Sequence, residues 1–221
     1  MLRVNFRVLW REATRGKSIY RILMNECLKL WREEIRGTVL DLACGQEPSY
    51  WRILDLKDNE KVHLVGIDYN PAFRPTIVSN LIHSLPFKDA TADVAIVSSF
   101  LHIPPDPKEF LKEVKRVLKP GGCLILAVPF VFQYNPEPTD YWRFTEEGLS
   151  WLLYNAGFTD FEIVPFGNRF SAVAFLLGPF LRPRWIVAPL VYLLCLLLDR
   201  IVTYFKLRPC PIGYVVFARK R

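Results

Sequence analysis

The stretch Val39-Leu40-Asp41-Leu42-Ala43-Cys44-Gly45-Gln46-Glu47-Pro48-Ser49-Tyr50-Trp51 decides the reading of this chain. Its first half continues a short apolar run, residues 38–42, that reads as a strand, and it then breaks into a turn around Gly45, where a residue without a Cβ lets backbone approach a ligand. A second strand, 62–67, ends at Asp68, twenty-three residues after Gly45. A carboxylate in that place can accept both hydroxyl protons of a ribose, although it also serves as a helix N-cap. Working outward, further strands are predicted at 76–78, 93–97, 123–129, 161–165 and 213–218, with helices at 107–118 and 146–155 between them. Thr145 suits the N-cap of the second helix and Gly157 its stop. Strand alternating with helix predicts a mainly parallel α/β sheet covered on both faces, with any ligand at the carboxyl ends of its strands. One glycine and one aspartate, however, fit any doubly wound protein.

Five ordered segments narrow the field: VLDLACG at 39–45, VGIDYNP at 65–71, LPFKDATADVAIV at 85–97, FLKEVKRVLKPGG at 110–122 and WRFTEEGLSWLLYNAGF at 142–158. Together they resemble the class I S-adenosylmethionine-dependent methyltransferases, in the small-molecule branch with Leu-Pro-Phe and Leu-Lys-Pro-Gly-Gly signatures. The resemblance covers about residues 37–165 and the last strand. It implies a Rossmann-like, doubly wound, mainly parallel seven-stranded sheet with an antiparallel last strand. The expected organisation is basic amphipathic helices over 1–36, a methyltransferase core over 37–169, an apolar helical insertion over 170–208 and the last core strand over 209–221.

Carried over by position, the resemblance puts Asp41, Ala43 and Gly45 beside the methionine part of S-adenosylmethionine. It puts Asp68 on the ribose hydroxyls, Tyr69 against the adenine, Asn80 at the adenine amino group and Ser98 near the sulfonium. The family's turn carries three glycines two apart, and their places here read Ala43, Gly45 and Glu47. Glu47 adds a side chain and a charge where the family turns tightly, and Pro48 stiffens the same point. Lys119-Pro120-Gly121-Gly122 is read as structural, ending a helix and starting a strand.

Methyl transfer from a sulfonium expels a neutral thioether, so it needs no acid, and a base matters only for a hydroxyl acceptor. His102 is placed to serve as that base or to shape its loop. After the fifth strand, Tyr134, Asp140, Tyr141 and Arg143 lie where this fold commonly walls the acceptor pocket. Rings beside Asp140 and Arg143 suit a sugar or another polyhydroxylated acceptor, with Asp140 as a second catalytic candidate. An Asp140–Arg143 pair that only holds the loop stays open beside that reading. His63, within a strand pattern, and His83, in a connecting segment, are given no catalytic part.

Charge sharpens the organisation. The chain has a net charge of +7, with +5 on residues 1–36, −6 on 37–166 and +8 on 167–221. A nucleic-acid binder more often carries its positive charge on the folded domain, so nucleic acid is not the expected partner. Basic, apolar flanks suit an anionic membrane surface instead. Arg3, Arg7, Arg11 and Arg15 recur every four residues, opposite Leu2, Phe6, Leu9 and Ala13, as on a basic amphipathic helix. The run 170–198 reads as two short apolar helices joined by Arg182-Pro183-Arg184, each below the roughly 20 residues that span a bilayer. Pro179, Pro183 and Pro189 argue against one straight helix. A hairpin dipping into one leaflet, a buried helical pair and a homodimer face all fit it.

The five cysteines are odd in number and widely spaced, so neither a disulfide framework nor a metal site is expected. No secretory signal is read at the amino terminus. The expected function is methyl transfer to a small or lipid-linked, glycan-like acceptor at the cytoplasmic face of a membrane, with contact through 1–15 and 170–205. The alternative is a non-catalytic protein of the same fold acting as a membrane-associated binding or assembly factor. A nicotinamide-dependent oxidoreductase explains neither the Leu-Pro-Phe nor the Lys-Pro-Gly-Gly block.

Overall fold

A computed structural model describes residues 4–136 and 138–221. Arg3 and Leu2, two members of the predicted amino-terminal helix pattern, lie outside the described residues. The chain divides into two compact units, Leu28–Val128, Tyr134–Ile163 and Val215–Arg221 forming one, and Met1–Cys27, Pro129–Gln133 and Val164–Tyr214 the other.

The first of these carries most of a seven-stranded sheet. Its strands are β1 (Gly37–Leu42), β2 (Val62–Asp68), β3 (Ile77–Val78), β4 (Ala92–Ser98), β5 (Leu118–Pro129), β6 (Asp160–Phe166) and β7 (Gly213–Arg219), in the order β3-β2-β1-β4-β5-β7-β6. The β1 strand pairs in parallel with β2 and β4, Leu42 standing level with both Ile67 and Val97. Near the start of β5, Gly121 N donates to Lys220 O and Lys220 N to Gly122 O, at 2.8 Å each, so two residues of β5 face the one residue just past β7, as in a β-bulge. Val39, Leu40, Leu42, Ile67, Val94–Val97 and Leu124–Val128 are buried, as expected of central strands covered on both faces. The predicted architecture is the one observed.

Helix α4 (Pro107–Val117) shows why two of the sequence blocks occur together. Asp106 caps it, accepting from Lys108 N and Glu109 N at 3.1 Å, and Pro107 opens its first turn. Phe110, Leu111, Val114 and Val117 form its buried face. From the same helix, Arg116 donates to Phe87 O at 2.7 Å and Leu85 O at 3.2 Å, while Glu113 accepts Leu85 N at 3.1 Å. The Leu-Pro-Phe segment is therefore clamped by two charged side chains of the block that ends in Lys-Pro-Gly-Gly.

That block enters the sheet earlier than expected, since β5 begins at Leu118 and not at residue 123. Between the pairs Ala92↔Leu118 and Val94↔Cys123 the chain bulges out. Asp93 organises the bulge by accepting Thr38 N at 2.8 Å and Lys119 Nζ at 2.7 Å. A Cβ on Gly122 would lie 2.9 Å from Asp93 O and 3.0 Å from Lys119 O, so only glycine fits.

The other unit is largely helical. It contains α1 (Phe6–Thr14), most of α2 (Ile19–Leu28), α6 (Arg169–Leu176) and α7 (Arg184–Tyr204). The expected pair of apolar helices broken at Arg182-Pro183 is present as α6 and α7, but the second is longer than expected. Here α7 is a single 21-residue helix that carries Pro189 near its start and runs past Asp199 and Arg200 to Tyr204. It tolerates Asp199 because that carboxylate is turned inward, fully buried, and caps α6, accepting Phe170 N at 2.8 Å, Ser171 N at 3.0 Å and the Ser171 hydroxyl. On α1 the buried residues are Leu9, Glu12 and Ala13, whereas Phe6 is exposed and pairs with Trp10, ring centroids 5.8 Å apart. The apolar side expected to include Phe6 is thus rotated, with Glu12 on the inner face, where Arg11, Arg15 and Lys17 neutralise it.

Candidate functional site

The carboxyl ends of β1, β2 and β4 lie side by side, which brings the turn after Leu42 next to Asp68 and Ser98. Asp68 is nearly buried and ties two loops together: Oδ2 accepts Gly45 N at 2.8 Å and Oδ1 accepts Asn70 N at 3.0 Å. Each carboxylate oxygen retains a further lone pair for a ligand hydroxyl. Among the described residues, no atom beyond Gly45 and its two chain neighbours lies within 4 Å of where a Cβ of Gly45 would be, so open space adjoins the turn. Tyr69, the next residue after β2, exposes about half of its surface, 53%. Asn80 is exposed after β3, its carbonyl accepting Ile82 N at 3.1 Å.

The turn keeps the backbone shape of a glycine-rich turn without its glycines. Ala43, Gly45 and Glu47 have φ of +60°, +64° and +39°. Only Gly45 adopts that region without a Cβ penalty, which is about 1–2 kcal/mol for an L residue. Glu47 is held there with its carboxylate on Lys57 Nζ at 2.5 Å, and Lys57 lies 5.0 Å over the Trp51 ring. Because a glycine also loses more entropy on folding, E47G is expected to stabilise the chain by about 0.5–1 kcal/mol, a rise of roughly 1–4 °C in melting temperature. A melting temperature lowered by E47G would show that the exposed Lys57 pair outweighs the backbone strain.

Asp41 is placed differently from the other candidates. It is fully buried in β1, and its carboxylate accepts the Tyr50 hydroxyl, at 2.9 Å to each oxygen, and the Trp51 indole N–H. Burial pushes its pKa up to about 7, the Trp51 and Tyr50 bonds opposing the rise and Asp68 adding to it. Tyr50 and Trp51 open helix α3 (Ser49–Ile53), and sequence reasoning gave neither of them a part in the site. Nothing local marks them; their role exists only once α3 folds back over the end of β1. Burial, Asp41 and Asp68 together push the Cys44 thiol up to about 12, so this cysteine beside the turn is not a nucleophile.

A second group forms after β4. Residues 139–142 are strapped to 102–104: His102 O accepts Tyr141 N at 2.9 Å and Trp142 N at 3.3 Å, Ile103 O accepts the Thr139 hydroxyl at 3.0 Å, and Pro104 O accepts Trp142 Nε1 at 3.0 Å. Asp140, its side chain 1% exposed, takes both Arg143 Nη1 and Nη2, the latter at 2.7 Å, and also accepts Asn135 N at 2.9 Å. Hydrogen bonding from Arg143 holds the Asp140 carboxyl below the usual range although burial opposes it. The imidazole of His102, 2% exposed, is held below its ordinary pKa by burial, against the pull of Asp140. It is therefore neutral at pH 7, as a proton acceptor must be. Tyr134 and Tyr141 are exposed, 76% and 57%. His102, Asp140, Tyr141 and Arg143 thus come together, with the Asp140–Arg143 pair bracing the strap.

The first group suits a cationic ligand that carries a diol and an aromatic base: open space beside Gly45, a carboxylate at Asp68, an exposed ring at Tyr69 and an amide at Asn80. Residues 40–126 match the family model described as a methyltransferase domain. The demethylmenaquinone methyltransferase of Listeria monocytogenes serotype 4a (strain HCC23) is 28% identical over 137 residues, 54% of this chain and 57% of that protein. A Mycobacterium ulcerans (strain Agy99) protein named "Probable phthiotriol/phenolphthiotriol dimycocerosates methyltransferase 2" is 32% identical over 106 residues, 40% of this chain and 38% of its own length. The match thus spans between 38% and 57% of the length of these curated relatives. Among solved structures, a SAM dependent methyltransferase from Archaeoglobus fulgidus superposes with a TM-score of 0.60 at 20% identity, covering 98% of this chain and all of that one. The fold is the Rossmann-like fold of the methyltransferases, and the stretch that resembles a methyltransferase domain ends within β5.

Proposed function

We propose that the chain transfers a methyl group from S-adenosylmethionine to a small lipid-linked or otherwise amphipathic acceptor, glycan-like in its polar part, at the cytoplasmic face of a membrane. The observation that carries the reading is Asp68, a nearly buried carboxylate at the end of β2, set against the open space beside Gly45. When bound, S-adenosylmethionine supplies a methyl group on a cationic sulfur, which the lone pair of an acceptor takes in a single displacement. The chain's own work is binding and orientation. Asp68 accepts from the ribose hydroxyls, Tyr69 and Asn80 hold the adenine, and the backbone of residues 43–45 leaves room for the methionine part. Ser98 borders the reacting end. For a hydroxyl acceptor, neutral His102 takes the proton as the bond to carbon forms, and Asp140 stabilises the resulting imidazolium. For an amine or carbon acceptor, His102 orients without taking a proton.

The lipid-linked side of the reading is supported by the acceptors in the relatives' names, demethylmenaquinone and phthiotriol dimycocerosates. The cytoplasmic side is supported by five free cysteines, the state in which thiols persist in reducing compartments. A second reading, a binding or assembly protein of the same fold, is favoured by the Asp41 carboxylate being taken up by Tyr50 and Trp51. Incubating the protein with methyl-labelled S-adenosylmethionine and a total lipid extract separates the two. The catalytic reading expects label in one lipid species, a gain of about 14 mass units per methyl group. Label confined to unreacted cofactor would favour the second reading.

A further inference from the structure

We propose that the helical unit rests on an anionic lipid leaflet, with α7 in the plane of the membrane and its outer stripe in the acyl boundary, without crossing the bilayer. The proposal deepens the membrane-surface part of the proposed function by naming the partner, and it stands independently of the cofactor chemistry.

Helix α7 has two unlike sides. Ile186, Leu190, Leu194, Leu197, Ile201 and Tyr204, spaced by three or four residues, are exposed along one stripe, Leu190 at 52% and Leu194 at 56%. Ala188, Tyr192, Cys195, Asp199 and Val202 form the opposite, buried side, against which α1 and α6 pack. Exposed Leu176 at the end of α6, Leu177 and Phe180 beyond it, and Trp185 at the start of α7 extend the uncovered apolar surface. A soluble monomer rarely leaves so long a stripe open to water.

Length alone does not decide between lying and spanning, since 21 residues at about 1.5 Å each match a hydrocarbon core of about 30 Å. The charges decide it. Packed on α7, α1 carries exposed Arg7 and Arg11 and the ion-paired Glu12, with exposed Arg15 and Lys17, Glu12's partner, in the turn that follows it. A spanning α7 would draw these charges into hydrocarbon, whereas a helix lying flat leaves them at headgroup depth. The helical unit has twelve Lys/Arg against three Asp/Glu, and two of the three, Glu12 and Asp199, are 2% and 0% exposed. What it presents outward is an apolar stripe rimmed by arginine and lysine, the complement of an anionic leaflet.

Co-sedimentation of the full chain with phosphatidylcholine vesicles, with and without phosphatidylglycerol, tests this. Binding at least tenfold stronger to the anionic vesicles is expected, weakening as salt is raised. The double variant L190E/L194E should lose at least tenfold in partition while keeping its melting transition, both leucines being exposed. Release of the bound protein by alkaline carbonate is expected of a helix that lies flat. Equal binding to both vesicle types, unchanged partition of L190E/L194E, or resistance to carbonate would each overturn the proposal. S-adenosylmethionine titrated into the same variant should bind as in the parent chain. Loss of cofactor binding in both proteins, with vesicle docking intact, would reject the proposed reaction and leave the docking standing.

Discussion

D68N is expected to lower S-adenosylmethionine affinity by about 100-fold or more while leaving the chain folded. A hydrogen bond to a charged group contributes about 1.5–3 kcal/mol, and two ribose hydroxyls on one carboxylate therefore amount to roughly two orders of magnitude or more in affinity. The amide is chosen over alanine because its oxygen can still accept from Gly45 N, the bond that holds the turn against β2 in the parent chain. A thermal melt separates the two roles. An affinity loss with the melting temperature within a few degrees of the parent assigns Asp68 to the ligand. A large fall in melting temperature with affinity unchanged in the fraction that remains folded would make it a loop tie only.

The second large effect concerns Asp41 and pH. Its folded pKa stands near 7 against 3.8 for the ordinary carboxyl, so between those values the folded chain keeps a proton that the unfolded chain has lost. Stability from this group is therefore fully present below about pH 4, falls as pH rises through the window, and levels off above 7. The span is on the order of 2–4 kcal/mol. In D41N the neutral amide does not titrate, and its oxygen remains an acceptor for Tyr50 and Trp51. The difference in unfolding free energy between D41N and the parent should thus grow from near zero at pH 4 to its full value at pH 8, in favour of D41N. Taking the difference cancels the opposite slope from Glu12, Asp93, Glu113 and Asp140, whose pKa values are lowered. Parallel curves for the two proteins would mean that Asp41 is ionised in the folded state.

Much of this was legible in the sequence for a physical reason. Six of the seven strands were located to within about a residue at each end, β1 and β4 because central strands buried on both faces are short continuous apolar runs; the start of β5 was missed because its bulged Lys-Pro-Gly-Gly entry is not apolar. Helix Glu146–Asn155 starts behind its Thr145 cap, as expected. That Asp68 and Ser98 close β2 and β4 was legible because each directly follows such an apolar run. What stayed hidden depends on contacts between distant segments. The closure of Tyr50 and Trp51 over Asp41 needs the fold of α3, and the rotation of α1 that turns Phe6 outward and Glu12 inward needs the packing of α7. The length of α7 was misjudged because Asp199 and Arg200 look like a stop. With the Asp199 carboxylate used to cap α6, the helix continues through them. The positive φ at Ala43 and Glu47 has a different lesson: the turn keeps the shape that glycines normally supply, and the departure from the family's pattern costs backbone strain in place of geometry.

Calorimetric titration of S-adenosylmethionine into the full chain reads the cofactor site without any acceptor present. Saturable one-to-one binding in the micromolar range, weakened by about 100-fold in D68N, is the expected result. Absence of heat at millimolar ligand, from a protein shown by its melting transition to be folded, would contradict it.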